Sequence, residues 1–255
     1  MLAARDIGFA RSFVPAARWL CQRWFRPDIQ GMENIPDGPV LFVGNHSGGS
    51  STPDSVVLVL ELIHHFGYEW PLLWLAHDLL MGLPGLGDFL RRCGVAPARP
   101  GMARAALQAG AAVIVYPGGE LELHRPWSAR DEVRFEGRTG FVRLALESGA
   151  PIVPVVSHGG HNTYLPLTDG RGIAHRLGVD RILGFKALPV SLAVPWGVNT
   201  LLPHVPLPAH ISIRVLEPID VRATWGDDIQ LAAKVIEAEM QHTLTELAGG
   251  ALPHG

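Results

Sequence analysis

The stretch from Leu41 to Asp54, Leu-Phe-Val-Gly-Asn-His-Ser-Gly-Gly-Ser-Ser-Thr-Pro-Asp, constrains the chain most. Val40 to Val43 reads as a short buried strand that breaks at Gly44, delivers Asn45 and His46 at its end, and passes through Gly48 and Gly49. Thr52-Pro53-Asp54 then opens a helix, with proline at a first helical position and an acid in the first turn. A strand that ends in a glycine loop and feeds a helix is an α/β unit, and such units place their chemistry at strand carboxyl ends. His46 is therefore displayed rather than packed.

The same grammar recurs along the chain. Ser55 to Phe66 reads as a largely buried helix and Trp70 to Leu75 as a second strand. The Gly-Leu-Pro-Gly-Leu-Gly cluster between Ala76 and Cys93 separates two short helices, the second from Asp88 to Arg92, and Gly94 to Pro97 returns to the sheet. Met102 to Ala109 is a short helix closed by Gly110, and Ala112 to Tyr116 is a β-branched strand running into Pro117-Gly118-Gly119-Glu120. Leu121 to Gly137 is charged and irregular, Thr139 to Ser148 is a helix capped by Gly149, and Pro151 to Val156 is a further buried strand. The alternation predicts a single α/β domain whose mostly parallel sheet is covered by helices on both faces.

Beyond Ser157 the pattern weakens. Leu188 to Ile213 contains no Asp, Glu, Lys or Arg and is broken by five prolines, so it forms no regular spanning helix. It either covers the core as a loop before a strand from Ile211 to Leu216, or lines an apolar cleft or dips into a bilayer surface. Trp225 to Leu247 is a closing helix.

Residues 1–27 read as an N-terminal amphipathic segment and 28–255 as the catalytic domain. The segment carries Trp19, Leu20, Trp24 and Phe25 with five arginines and one acid, Asp6. Pro15 reads as the first residue of its helical half, Arg18, Gln22 and Arg26 share one face, and Pro27 ends it. Aromatic anchoring with arginine facing anionic lipid makes a membrane-interface helix, and packing of the tryptophans on the domain makes an ordinary surface helix. Over all 255 residues, 47% are hydrophobic and 18% charged, without an uninterrupted run long enough to span a bilayer. A net charge of -3 excludes broad nucleic-acid binding. Two cysteines, Cys21 and Cys93, make no disulfide framework, so a reducing compartment is expected, and the arginines interrupt any cleavable signal.

Acyl transfer to an alcohol requires a base, a group that orients it and donors for the oxyanion. His46, Asp54 and the loop of Gly48 and Gly49 supply these types, although Asp54 is also accounted for as a first-turn acid favoured by the helix dipole. His158 and His161 have a spacing at which a metal pair is conceivable, but no Cys or carboxylate stands at matching positions, so no metal is expected. His46-Ser47-Gly48-Gly49 is superficially similar to an esterase oxyanion loop, yet the Gly-x-Ser-x-Gly nucleophile elbow of a hydrolase is missing. A lipid-binding protein without turnover is the other competing reading.

Asn45-His46 with a downstream acid, then Tyr116-Pro117-Gly118-Gly119-Glu120, then Ile152-Val153-Pro154-Val155 resemble, in that order, the blocks of the glycerolipid acyltransferases, the lysophosphatidic acid acyltransferase-like superfamily. Gly31 to Pro36, Gly94 to Arg99 and Arg138 to Leu146 extend the resemblance. It implies transfer of a fatty acyl group from acyl-CoA or acyl carrier protein, as co-substrate rather than cofactor, to a lipid hydroxyl. His46 would be the general base, at a cytoplasmic membrane surface. Arg99 and Arg138 fall near phosphate-handling blocks, with surface salt bridges as the alternative. Two departures stand out. The family's acid lies five residues after the histidine, where this chain has Ser51, and Asp54 lies eight after. Gly118 replaces the glutamate that usually follows the third block's proline, which is similar to diacylglycerol acyltransferase-like members and leaves Glu120 or Glu122 for a positioning role. Gly118 and Gly119 would let backbone donors approach an acceptor or simply turn the chain.

Overall fold

The computed structural model describes residues 5–76, 81–176, 188–200, 202 and 204–250. The ends of both expected segments, and the start of the short helix expected after Ala76, lie outside the described residues. Among the described residues ten strands are arranged as a seven-stranded sheet and a three-stranded sheet. The large sheet contains β1 (Asp28–Gln30), β2 (Leu41–Gly44), β3 (Leu72–Ala76), β4 (Val95–Pro97), β5 (Ala112–Val115), β6 (Ile152–His158) and β10 (Ser212–Val215), in the order β1-β10-β6-β2-β5-β3-β4. β6, β2, β5, β3 and β4 are mutually parallel, while β10 runs antiparallel to β6 and parallel to β1. The mostly parallel sheet expected from the sequence is present.

β2 sits at the centre, with Val43 opposite Val115 of β5 and Pro154 of β6. Its side chains alternate between two cores, as the pleat demands. Phe42 packs with Val57, Leu58 and Leu62 from α2 (Pro53–Phe66), and with Val14 from α1 (Ile7–Phe25). Leu41 and Val43 face the other layer. That layer is built by α4 (Pro100–Gln108), α6 (Gly140–Ser148), α8 (Val221–Trp225) and α9 (Ile229–Gly250); the other helices among the described residues are α3 (Leu86–Arg92), α5 (Gly119–Leu123) and α7 (Arg171–Arg176). Helices therefore leave neighbouring strands toward opposite faces beside β2, the topology at which α/β sheets place their sites.

Four sequence expectations are corrected. Pro15 lies inside α1, which begins at Ile7 because the Asp6 carboxylate caps it, accepting from the Phe9 N–H at 2.9 Å. Pro15 only deprives the Arg11 carbonyl of its partner, on an exposed side of the helix where water can replace it. Asp28 to Gly38, whose Gly31, Pro36 and Gly38 read as turn residues leading into the central strand, also contains β1, too short for a periodicity reading. The stretch from Leu121 to Gly137 shares α5 and holds a 3-10 turn at Trp127–Ala129. The segment after Ser157 is not a plain covering loop: β7 (Leu165–Thr168), β8 (Val190–Ala193) and β9 (Gly197–Asn199) form an antiparallel sheet of their own. Among the described residues no helix is long and apolar enough to cross a membrane.

Phe42 is completely buried at the centre of one core. Phe42→Ala is expected to lower unfolding free energy by about 3 to 5 kcal/mol. Denaturant unfolding measures this, and a loss under ~1 kcal/mol would show that β2 is not the packing centre.

Candidate active site

His46 lies two residues past β2, with its side chain 12% exposed. Its ring stacks on Tyr116, which follows β5, at a centroid distance of 4.1 Å and 14° between planes. Gly44 makes this possible, because a Cβ there would stand 2.6 Å from the Tyr116 ring. His46 Nδ1 faces Ser55 Oγ at 3.4 Å and Asp54 Oδ2 at 3.8 Å. The second distance is too long for a hydrogen bond but lets a carboxylate stabilise an imidazolium. Ser55 Oγ in turn donates to Asp54 Oδ1 at 3.3 Å, so the serine links ring and acid.

Asp54 is buried at the start of α2 and is held from several directions. It accepts from Ser47 N–H at 2.8 Å, Ser47 Oγ at 3.0 Å, Ser55 N–H at 2.8 Å and Ser157 Oγ at 3.4 Å. Ser51, at the family's usual acid position, points elsewhere and donates to the His204 carbonyl at 2.5 Å. Asn45 is structural: its amide donates to the Ser157 carbonyl at 2.8 Å and accepts from the Ser157 N–H at 2.7 Å, tying the end of β2 to β6.

The loop after β5 grips the backbone of His46 on both sides. Glu122, fully buried, accepts from the His46 N–H and the Arg134 N–H, both at 2.9 Å. Arg125, 1% exposed, donates to the His46 carbonyl at 2.5 Å, the Glu122 carbonyl at 2.8 Å and the Ala129 carbonyl at 3.0 Å. Gly118 admits the Glu122 carboxylate, with which a side chain at 118 would collide. Arg138 donates to the Pro117 carbonyl at 2.6 Å and braces the turn at Gly119, whose φ is 56°.

Gly48 packs on Pro53 and Gly160 with φ 87°, and its N–H is directed at His161 Nδ1 at 3.4 Å. Gly49 lies under Tyr164 and His204. The structure thus brings together His46, Asp54, Gly48, Gly49, Gly118 and Glu122. Glu120 is half-buried on α5, its role as a positioning acid taken geometrically by Glu122. Arg99 is exposed after β4, three strand spacings or about 14 Å from β2. His158 faces Asp131 at 3.3 Å while His161 reaches the Arg125 carbonyl at 3.0 Å, so the two rings have separate partners.

Sequence reasoning missed Arg125, Ser55 and the buried histidines around them. Burial pushes His124 down to about 3, and it pushes His161 well below the ordinary imidazole value. Both are neutral near pH 7. Among the described residues His124 Nδ1 has no hydrogen-bond partner, although the residue is buried. Arg125 carried one signal: a lone arginine three residues after Glu122, which on a helical turn brings the two together.

A sequence profile described as Acyltransferase matches residues 26–158, more than half of the chain. The chain belongs to the acyltransferase family. A second profile, Diacylglycerol acyltransferase, matches residues 102–246, so the diacylglycerol acyltransferase-like character of the third block extends through the C-terminal half of this acyltransferase-family chain. An uncharacterized protein of Mycobacterium tuberculosis is 32% identical over 247 residues, covering 92% of this chain and 65% of its own length. A diacylglycerol O-acyltransferase 2-like protein of Mus musculus is 29% identical over 171 residues, covering 61% of this chain and 48% of its own. The chain therefore spans less than two thirds of the length of these relatives. The crystal structure of a 1-acyl-sn-glycerophosphate acyltransferase from Thermotoga maritima shares the fold with TM-score 0.56 and 21% identity, covering 95% of this chain and 84% of that one.

Burial raises the Glu122 carboxyl to about 7 from 4.5, against the opposing pull of Arg125 and the two N–H donors. A carboxyl raised in the folded state holds a proton that the unfolded chain releases, so its contribution to stability is greatest below about 4.5 and is lost as pH rises toward about 7. Glu122→Gln removes this titration. The melting temperature of the wild type minus that of Glu122→Gln is expected to fall across this window, and a constant difference would contradict the assignment.

Proposed function

We propose that this chain transfers a fatty acyl group from a thioester, acyl-CoA or acyl carrier protein, to a hydroxyl of a glycerolipid or lysophospholipid. The observation that carries the reading is the histidine at the end of the central strand, its backbone clamped and its Nδ1 turned to Ser55 and Asp54. Nδ1–H donates to Ser55 Oγ, which leaves the Nε2 lone pair for the acceptor hydroxyl. As that oxygen attacks the thioester carbonyl, its proton passes to Nε2, and Asp54 stabilises the imidazolium. Collapse of the tetrahedral intermediate breaks the carbon–sulfur bond, and the proton passes from Nε2 to the departing thiolate. No covalent enzyme intermediate is needed.

Two observations favour an uncharged acceptor such as mono- or diacylglycerol. The match to the diacylglycerol acyltransferase profile covers the half of the chain that contains Glu122 and Arg125. The guanidinium beside His46, that of Arg125, is spent on backbone carbonyls, and the buried histidines nearby are neutral. The reaction takes place at a lipid surface on the cytoplasmic side, with residues 1–27 as the interfacial segment and 28–255 as the catalytic domain.

Purified protein with an acyl-CoA and a panel of lipid acceptors, products read by mass spectrometry, tests the proposal. His46→Ala is expected to lower the rate by about 10²- to 10⁴-fold while still binding acceptor. Equal rates in both proteins would end the general-base reading and leave a lipid-binding role.

A further inference from the structure

The small sheet is amphipathic in the reverse sense to a normal surface sheet. In β8, Ser191 and Ala193 are buried while Leu192 is exposed, and in β9 Asn199 is buried while Val198 is 71% exposed. β7 alternates likewise, with Pro166 inward and Leu165 and Leu167 outward. The registers place Leu165 opposite Leu192, and Leu192 opposite Val198. One row of aliphatic side chains thus crosses all three strands on the outer face, while the hydroxyl of Ser191 is directed inward at the Asn199 carbonyl. Trp196, 52% exposed, stands at the β8–β9 turn. Alternation with the apolar side outward is stable only against an apolar phase, and a patch of this kind marks an interaction surface.

We propose that this outer face is the surface by which the chain enters the headgroup and upper acyl region of an anionic bilayer. The occupant follows from what adjoins the face. Trp24 donates through Nε1 to the Pro206 carbonyl at 2.8 Å, and the Ala209 N–H donates to the Trp24 carbonyl at 3.3 Å, which joins the end of α1 to the segment leaving the sheet. That helix end exposes Trp19, Leu20, Arg23 and Arg26, with the Arg23 guanidinium 5.6 Å from the Trp19 ring centroid. An outer face that is apolar among the described residues of β7 to β9, edged by tryptophan and arginine, complements anionic headgroups over an acyl layer. A second copy docked through the same patch would set like arginines against each other, which disfavours self-association.

The face also leads to the site. The Val205 N–H donates to the Val194 carbonyl at the end of the sheet, and the neighbouring His204 carbonyl accepts from Ser51 on the loop that follows His46. A lipid acceptor leaving the bilayer at this face would meet the loop that follows His46. That last step rests on the acyl-transfer reading; the docking itself does not.

The full chain and the variant Leu192→Glu/Val198→Glu are sedimented with phosphatidylcholine/phosphatidylglycerol vesicles, and their melting temperatures are compared. Binding is expected to fall at least tenfold with melting unchanged, while turnover of a short-chain, monomeric acceptor stays the same and KM for a vesicle-borne acceptor rises. Wild-type protein that does not bind vesicles, or a variant that binds equally well, overturns the proposal. So does a concentration-dependent wild-type dimer that the variant abolishes. Loss of vesicle binding in a chain whose wild type has no transferase activity upholds the docking face and rejects the catalytic reading instead.

Discussion

His46 is held through its backbone as well as through its ring, which stacks on Tyr116. Glu122 takes its N–H and Arg125 takes its carbonyl, and Arg125 also donates to the Glu122 carbonyl, so these two buried residues, three apart, are tied to one another. A buried carboxyl or guanidinium stripped of these backbone partners would carry a desolvation cost of several kcal/mol, so the clamp and the loop stabilise each other. The strand end, the Pro117-Gly118-Gly119 turn and the segment to Arg134 are locked into one unit by this requirement. Such backbone clamping frees the imidazole for chemistry while fixing where it stands.

The sheet supplies the other half of the constraint. β2 is paired on both sides, so His46 emerges where helices diverge to opposite faces, and Asn45 stitches the strand end to Ser157. α2 then brings Asp54 and Ser55 back beneath the ring from its first turn. The loop of Gly48 and Gly49 spans the gap between strand and helix because its backbone visits positive φ and packs too closely for side chains. This longer loop explains why an acid eight residues after the histidine reaches it while Ser51, at the commoner spacing, faces His204.

The parallel strands, their glycine exits and the helix after Pro53 were legible because burial on both faces leaves continuous apolar runs bounded by turn residues. The pairing of His46 with Asp54 was legible as residue types, and its geometry followed from local chain length. Arg125 was not, because it sits in a charged, irregular stretch, and only folding turns it inward beside Glu122. β7 to β9 were illegible for a different reason. Their apolar residues alternate outward, so a rule that assigns apolar side chains to the core reads the wrong face, and the prolines hide the strands.

The proposed acyl transfer requires His46 with Nδ1 protonated toward Ser55 and Asp54 and Nε2 bare. Nitrogen-15 NMR of the histidine rings, with His46 assigned by comparison with His46→Ala, reads this directly in the neutral form. The Nδ1–H tautomer is expected for His46, changing in Ser55→Ala toward a mixture. An Nε2–H tautomer in the wild type would contradict it, because the nitrogen facing substrate would then have no lone pair to accept a proton.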